Sequence, residues 1–163
     1  MARKVVVIGA VAAGPKAAVR VKRLDPDAEV TLIDQDSLIS YGGCGIPYYV
    51  SGDVSDEKEL RSTSFHMLRD ERFFEQAKGV TTLTMTRALA LDRAAKTVLL
   101  EDLKTGGQRT IEYDSLLLAT GSEPVVVPIP GVDLDGVFTV SSLHQAIAIK
   151  DRIAKGLVGR AVV

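Results

Sequence analysis

The chain contains a single cysteine, Cys44, in surroundings that suit a reactive thiol. It lies in the segment Ser40-Tyr-Gly-Gly-Cys-Gly-Ile-Pro-Tyr-Tyr49, where flanking glycines leave the sulfur accessible and let the backbone approach a flat ring. Pro47 suits the first turn of a helix, and a thiol at a helix N-terminus has an increased thiolate fraction. Thiolates attack disulfides and oxidants, so Cys44 is a candidate redox nucleophile. The alternative is a buried, inert side chain.

A glycine turn, Gly9-Ala-Val-Ala-Ala-Gly14, provides a second candidate for chemistry. It occupies the position of the G-x-G-x-x-G fingerprint, in which backbone N–H groups and a helix N-terminus bind a pyrophosphate. Val11 replaces the second glycine, and such a turn by itself is common in βαβ units. Asp34 follows about 20 residues after Gly14, where an acid accepts hydrogen bonds from an adenosine ribose. Strand, turn, helix and acid together predict a dinucleotide site.

Three cations, Lys16, Arg20 and Arg23, have the i, i+4, i+7 spacing of one helix face. They could hold the phosphates of a second anionic ligand, or they could form an ordinary solvated face. Both interpretations stay open from the residues alone. His66 and His144 have no partner that the sequence identifies, and no metal site is predicted.

The composition excludes several classes of function. A formal charge of −1, from 20 basic and 21 acidic residues, provides no bulk attraction for nucleic acid or acidic membranes. One cysteine cannot form an intrachain disulfide, and no apolar run reaches the roughly 18 residues of a membrane span. The N-terminal segment superficially resembles a signal peptide, but a βαβ unit explains more of its residues. We therefore expect a cytoplasmic protein.

The strands and helices that must position these residues can be predicted from sequence patterns, and together they indicate an α/β fold. β-Branched and apolar runs near 4–8, 29–34, 80–85 and 116–120 are typical of buried strands in a parallel sheet. Small and helix-forming residues over 12–24 predict a helix between the first two strands. Short links within 86–113 favour an antiparallel β-meander. Residues 48–79 are interpreted as mostly helical, with four core contacts: Phe65, Leu68, Phe73 and Phe74.

The C-terminal part follows a different pattern. Prolines and glycines without helical or alternating period predict a stiff connector over 122–140. Ser142 with Gln145 is a capping-box signature, which predicts a helix through about Lys155. Residues 159–163 are interpreted as the start of a further strand. The predicted division is a domain over 1–121, the connector, and the start of a second domain over 141–163.

Three segments together resemble one family. They are the glycine turn, Ser40-x-x-x-Cys44-Gly-x-Pro-Tyr48, and Tyr113-Asp-x-Leu-Leu-Leu-Ala-Thr-Gly121-Ser-x-Pro124. The chain resembles the single-cysteine branch of the FAD-dependent pyridine nucleotide-disulfide oxidoreductases, especially CoA-disulfide reductases and NADH-dependent CoA-persulfide reductases. The resemblance covers essentially the whole chain, and the cysteine segment is more specific than the glycine turn. It implies a Rossmann-like FAD-binding domain with the meander as an insertion.

The resemblance also implies roles for matching residues. Cys44 would be the redox-active sulfur beside the flavin. The residues expected to contact FAD are Gly9, Val11, Ala12, Ala13, Gly14, Asp34, Gln35, Ala88, Ala119, Thr120 and Gly121. Those expected to contact coenzyme A are Lys16, Arg20, Arg23, Ser40 and Gly43. Relatives often have Asn at the position of Gly43, so this glycine would contribute only its backbone.

The implied chemistry passes electrons from NAD(P)H through flavin to a sulfur at Cys44, which exchanges with CoA disulfide or a persulfide. Dithiol relatives carry a second cysteine five residues further on, where this chain has Tyr49. Peroxidases and oxidases of the branch use a cysteine sulfenic acid and a histidine at the position of Ala12. The absence of that histidine favours disulfide or persulfide reduction. A nucleotide-binding module without turnover is the remaining alternative.

The resemblance further implies that a strand like 159–163 leads into a second glycine turn for NADH or NADPH. We therefore expect this chain to be a domain fragment that is unable to oxidise NADH by itself. Relatives are homodimers with small-molecule thiol or disulfide substrates, and the same is expected of the intact protein.

Overall fold

A computed structural model describes residues 2–163. The strands, in chain order, are β1 (Lys4–Ile8), β2 (Glu29–Ile33), β3 (Thr81–Leu83), β4 (Thr86–Asp92), β5 (Thr97–Asp102), β6 (Gln108–Glu112) and β7 (Ser115–Leu118). The helices are α1 (Ala13–Leu24), α2 (Ile46–Ser51), α3 (Glu57–Leu60), α4 (Glu71–Lys78) and α5 (Leu143–Ala154), with a 3-10 turn at Gly43–Gly45. No helix in this described range is long and apolar enough to span a bilayer.

The chain divides into two compact units. The first contains the residues up to Tyr41 together with Arg61–Gly121, and the second contains Gly42–Leu60 together with Ser122–Val163. The cysteine segment therefore groups with the C-terminal residues, a grouping that no sequence pattern indicated. The assignment of 141–163 to a second domain stays a prediction.

The first unit is built on a four-stranded parallel sheet of order β3-β2-β1-β7. β1 pairs with β2 on one side and with β7 on the other, so its backbone donors and acceptors are used on both edges. Its residues Val6 and Val7 are almost fully buried. This arrangement confirms the predicted α/β fold and explains why β1 is a continuous apolar run.

Alternate side chains of the sheet face two different layers. Val7 and Leu32 join a core with Ala18 of α1 and Phe74 of α4. On the opposite face, the core consists of Val6, Ile8, Ile33, Val98 and Leu100, the last two from β5. The sheet is thus enclosed by helices on one face and by the meander on the other.

The meander is a separate three-stranded antiparallel sheet of order β4-β5-β6, as predicted. A register irregularity between Ala88 and Ala90 bends β4. The backbone N–H of Thr86 donates to the carbonyl of Asp34 at 2.9 Å, which joins the start of β4 to the end of β2. The meander therefore reaches the edge of the parallel sheet where the predicted dinucleotide site lies.

Three expectations require correction. Residues 159–163 form no strand and are exposed, because a strand forms only when a neighbouring strand satisfies its backbone. Phe65 is 84% exposed rather than part of the core. Helix covers only parts of 48–79, with a turn and the isolated bridge between Ser62 and Leu68 separating α3 from α4. The predicted helix start at Ser142 is confirmed, since the Ser142 hydroxyl accepts the Gln145 N–H at 3.3 Å. The Gln145 Oε1 accepts the N–H of Ser141 at 2.7 Å, one residue before the N-cap, so the second bond of the capping box is displaced.

Candidate functional site

The glycine turn after β1 is packed too tightly for any other residue at its two ends. Gly9 has φ +107°, and a Cβ there would lie 2.1 Å from the Ala119 carbonyl oxygen. A Cβ on Gly14 would lie 1.8 Å from the Gly9 carbonyl oxygen. The Gly9 N–H donates to Ile33 O at 2.8 Å, so the turn joins the ends of three neighbouring strands.

The first turn of α1 has unused backbone donors. Ala12 is the N-cap residue and provides no side-chain hydrogen bond, and the first turn contains no acidic residue. α1 is 12 residues long, so its N-terminus carries a partial positive charge that favours an anion. Val11 is half-buried, whereas Ala12 and Ala13 are exposed at this N-terminus. These features fit a diphosphate group.

Asp34 is held in a defined orientation at the end of β2. Its Oδ2 accepts the Ala10 N–H at 2.5 Å, and its Oδ1 accepts the Asp36 N–H at 2.9 Å. Each carboxylate oxygen can accept more than one hydrogen bond, so both keep capacity for hydroxyl groups of a ligand. This geometry fits a ribose whose two hydroxyls are recognised by one carboxylate.

An open cleft of about 150 Å³ lies at this edge of the sheet. Its lining comprises Ile8, Gly9, Ile33, Asp34, Gln35, Thr86, Arg87, Ala88 and Thr120. Sites for whole small molecules usually measure roughly 300–1,000 Å³, so this cleft suits one part of a dinucleotide. The structure thus brings five of the predicted FAD contacts together: Gly9, Asp34, Gln35, Ala88 and Thr120.

Sequence reasoning missed Arg87, which also lines the cleft. Its Nε donates to the Gln35 Oε1 at 3.2 Å, across the junction between β2 and β4. An arginine on the exposed face of a strand has no local pattern that distinguishes it from a solubilising residue. Only the pairing of two segments that are distant in sequence reveals its position.

The segment after β7 completes this edge. The Ala119 N–H donates to Ile8 O at 2.7 Å, which holds the segment against β1. Gly121 adopts φ +71°, and no atom lies within 4 Å of the point that a Cβ would occupy, so its surroundings are open. Ala119, Thr120 and Gly121 therefore lie on the far side of β1 from Asp34, and their contact with FAD stays a prediction.

The predicted cationic face of α1 is present and exposed. Lys16, Arg20 and Arg23 are all exposed, and no carboxylate in the described range pairs with them. Lys22, by contrast, is used structurally, because its Nζ donates to the carbonyls of Pro26 and Ala28. The three exposed cations are free to bind an anionic ligand.

Ser40 and Gly43 lie in different units. Ser40 is buried, with φ +54°, and its N–H donates to the Ala10 carbonyl at 2.7 Å in the first unit. Gly43 begins the 3-10 turn of the second unit, with open space at the point that a Cβ would occupy. Within the first unit, Ser40 is therefore tied to the glycine turn.

Cys44 is exposed at the centre of that 3-10 turn, which leads directly into α2. The Gly45 N–H donates to Gly42 O at 2.9 Å, and the Gly42 N–H donates to Leu60 O at 2.8 Å. A Cβ on Gly45 would lie 2.4 Å from a methyl carbon of Leu60. The glycines beside the cysteine thus permit a tight turn that leaves the thiol accessible, as predicted. Pro47 lies in the first turn of α2, also as predicted.

Tyr49, five residues after Cys44, is buried. Burial raises the pKa of its phenol, and the nearby carboxylates of Glu57 and Asp56 raise it further. The side chain therefore stays neutral over the physiological range and serves as a packing element of α2. No second thiol exists in the chain to form a dithiol with Cys44.

Comparisons with known proteins identify the family of the chain. A family model described as pyridine nucleotide-disulphide oxidoreductase matches residues 3–163. The NAD(P)H coenzyme A polysulfide/persulfide reductase of Pyrococcus horikoshii is 34% identical over the whole chain, which covers 34% of that relative. A solved NAD-dependent persulfide reductase from A. fulgidus has a TM-score of 0.90 and 40% identity, with 94% of this chain and 28% of that chain covered.

A water-forming NADH oxidase from Lactobacillus brevis has a TM-score of 0.83 and 33% identity, with 94% of this chain and 33% of that chain covered. The chain thus spans about a third of the length of the curated relatives that it matches. The family uses FAD and NAD(P)H, and its CoA disulfide reductases use coenzyme A. Since the family model covers nearly every residue, the chain belongs to the pyridine nucleotide-disulphide oxidoreductase family.

Proposed function

We propose that the intact protein is a FAD-dependent NAD(P)H:disulfide oxidoreductase that reduces CoA disulfide, a CoA persulfide or a polysulfide through Cys44. The observation that carries the proposal is the single exposed thiol in a glycine-flanked turn, with no second thiol in the chain. The similarity to reductases named for coenzyme A persulfide and coenzyme A disulfide supports the substrate class.

The first unit would hold the ADP part of FAD. Gly9 and Gly14 shape the turn, the N-terminus of α1 receives the diphosphate, and Asp34 binds the ribose. Bound FAD supplies the transfer of two electrons from NAD(P)H to sulfur. Val11 has a larger side chain than the glycine of the fingerprint, so the N–H groups at the start of α1 would make the diphosphate contacts instead.

Cys44 would carry the sulfur chemistry. Its thiolate attacks one sulfur of CoA disulfide, which forms a mixed disulfide with Cys44 and releases one CoA thiolate. Two electrons, originating from NAD(P)H, then cleave this mixed disulfide, restore the Cys44 thiolate and release the second CoA thiolate. With one proton taken up, the sum converts NAD(P)H and CoA disulfide into NAD(P)⁺ and two CoA thiols.

Asp34→Asn is expected to weaken FAD binding roughly 10- to 100-fold, because a charged hydrogen-bond acceptor is lost. The amide nitrogen would also face the N–H group of Ala10 or of Asp36, both of which are donors. Fluorescence titration of the apoprotein with FAD measures the effect. The matched control is Asp27→Asn, an exposed acid in the turn before β2. Equal FAD affinity in both variants would contradict the assignment of Asp34.

Arg20→Gln and Arg23→Gln are each expected to raise KM for CoA disulfide roughly tenfold, because each removes a charged donor to phosphate. KM for a small neutral disulfide should not change. Steady-state kinetics with both substrates separate these outcomes. Arg93→Gln, in the exposed turn after β4, is the control for loss of one positive charge. If KM changed equally for both substrates, the assignment of the α1 cations to the proposed CoA site would be wrong.

A second candidate function is an NADH oxidase or peroxidase, because NADH oxidases are also among the relatives at similar identity. Ala12 argues against it, since this exposed methyl group has no proton to donate where the resemblance implies a histidine. The deciding experiment supplies the purified intact protein with NADH and either CoA disulfide, hydrogen peroxide or oxygen. Dominant NADH turnover with peroxide or oxygen would refute the disulfide reductase proposal. FAD binding without NADH oxidation by any acceptor would instead identify a non-catalytic module.

We also propose that the intact protein is a cytoplasmic homodimer, as the family resemblance implies. An accessible free thiol is maintained in a reducing compartment. Size-exclusion chromatography with light scattering measures the oligomeric state directly.

A further inference from the structure

Lys150 connects α5 to the helix that follows Cys44. Its Nζ lies 3.9 Å from the centroid of the Tyr49 ring on α2. The same ammonium group donates to the carbonyls of Val54 at 2.8 Å and Ser55 at 3.0 Å. Both carbonyls belong to the chain segment just after α2. One side chain of α5 therefore contacts α2 and its C-terminal connection at once.

The surroundings of this ammonium group are unusual for a lysine. Lys150 is half-buried, and no carboxylate in the described range pairs with it. An ammonium has three N–H donors; two carbonyls accept hydrogen bonds from it, and the ring face supplies the remaining interaction. A cation–π contact adds to stability, and more so when the ammonium group is partly withdrawn from water. The Lys150 ammonium group is thus bound by two carbonyls and an aromatic ring rather than hydrated at the surface.

α2 requires such contacts to hold its position. It has six residues, which is too short for a helix to be stable by itself. It ends at Gly52 in the left-handed region, with φ +99°, where the chain turns toward Val54. α5 packs against α2, and Leu143 and Ala146 of α5 are buried. Lys150 adds two hydrogen bonds and a cation–π contact to the packing of α5 against α2 and the segment that follows it.

The 3-10 turn that carries Cys44 is continuous with α2, because Gly45 is the N-cap of that helix. Any shift or fraying of α2 therefore moves the thiol. Tyr49, five residues after Cys44, supplies the ring that Lys150 contacts. We propose that Lys150 is a positioning residue that holds the Cys44 segment in place for thiol–disulfide exchange. This role rests on the proposed function of Cys44.

The test compares Lys150→Met with Lys150→Arg in the intact protein. Methionine keeps the aliphatic length and removes the charge, whereas arginine keeps a cation that can stack on the ring. Lys155→Met is the matched control, because Lys155 just after the last turn of the same helix is exposed and pairs with Asp151 at 2.6 Å. The readouts are amide hydrogen exchange of residues 42–55, kcat and KM with CoA disulfide, and the rate of flavin reduction by NADH.

In Lys150→Met, we expect amide exchange over residues 46–52 to accelerate roughly tenfold, the equivalent of one lost cation–π contact. kcat should fall on the order of tenfold, because small displacements of a reacting group carry a large rate penalty. KM and flavin reduction by NADH should be unchanged, and Lys150→Arg should restore most of kcat. Lys155→Met should match the wild type in every readout.

Several results would overturn the proposal. Unchanged exchange over residues 46–52 would show that Lys150 does not hold α2. Faster exchange with an unchanged kcat would show that the contact is structural and does not position the thiol. If the wild-type protein fails to reduce CoA disulfide or a persulfide, the proposed function fails. The exchange data then still decide whether Lys150 holds the Cys44 segment.

Discussion

In the intact protein, Cys44→Ser is expected to abolish the proposed disulfide reduction and to leave FAD bound. The expected loss in kcat is on the order of 10³-fold or more, the scale seen when a covalent nucleophile is removed. A serine hydroxyl is not ionised near neutral pH and cannot form a mixed disulfide. The side chain is exposed and serine is nearly isosteric with cysteine, so the fold should not change. NADH consumption with CoA disulfide and the visible spectrum after desalting are the two measurements.

A positional control distinguishes this thiol from thiol content in general. The double variant Cys44→Ser with Ser64→Cys restores one exposed thiol at a turn in the other compact unit. We expect it to be as inactive as Cys44→Ser. Mass spectrometry of the unreduced wild-type protein should show a CoA adduct on Cys44. A variant that retained a tenth of wild-type turnover would refute the mixed-disulfide route.

Gly14→Ala is expected to destabilise the first unit by about 4 kcal/mol or more, a range reserved for severe packing defects. The added methyl group would lie 1.8 Å from the Gly9 carbonyl oxygen, and neighbouring backbone cannot move aside without breaking the turn. Gly9→Ala combines a 2.1 Å contact with φ +107°, so it should be at least as severe. Both variants should also lose FAD, because the proposed diphosphate contacts depend on this turn.

Gly121→Ala separates the steric cost of an added methyl group from the cost of a positive φ. Gly121 has φ +71° but nothing within 4 Å of its Cβ position, so alanine there meets only the backbone penalty of about 1–2 kcal/mol. Chemical denaturation of the FAD-free proteins, followed by circular dichroism, ranks the three variants. If Gly14→Ala lowers the free energy of unfolding no more than Gly121→Ala does, close packing around the turn is not the reason for glycine at position 14.

Much of the first unit could be predicted from local patterns. β1 is an uninterrupted β-branched run because both of its edges and both of its faces are covered. Asp34 stands out because it follows a buried strand at the spacing that a βαβ unit dictates. The meander was predictable because short links between strands leave few topologies other than antiparallel pairing. In each case the pattern that predicts the element lies in the element itself or in the adjoining βαβ unit.

The residues that sequence analysis misplaced or missed depend on contacts that no local pattern reveals. Phe65 was expected in the core from its type, but it lies at the exposed tip of a turn. Residues 159–163 have strand composition, but composition supplies no partner for their backbone. Arg87 and Lys150 carry no local signal, since their roles depend on Gln35 and Tyr49, far away in sequence.

The chemistry available to this protein is already visible in its residues: one thiol, a glycine turn followed by an acid, and a cationic helix face. Residue type and short-range spacing are enough to specify such groups. The folded chain was needed to show that 42–60 group with 122–163, that Asp34 accepts the N–H of Ala10, and that Lys150 contacts the helix after Cys44. These are long-range contacts, and their partners are chosen by packing and hydrogen bonding across the fold rather than by neighbouring residues.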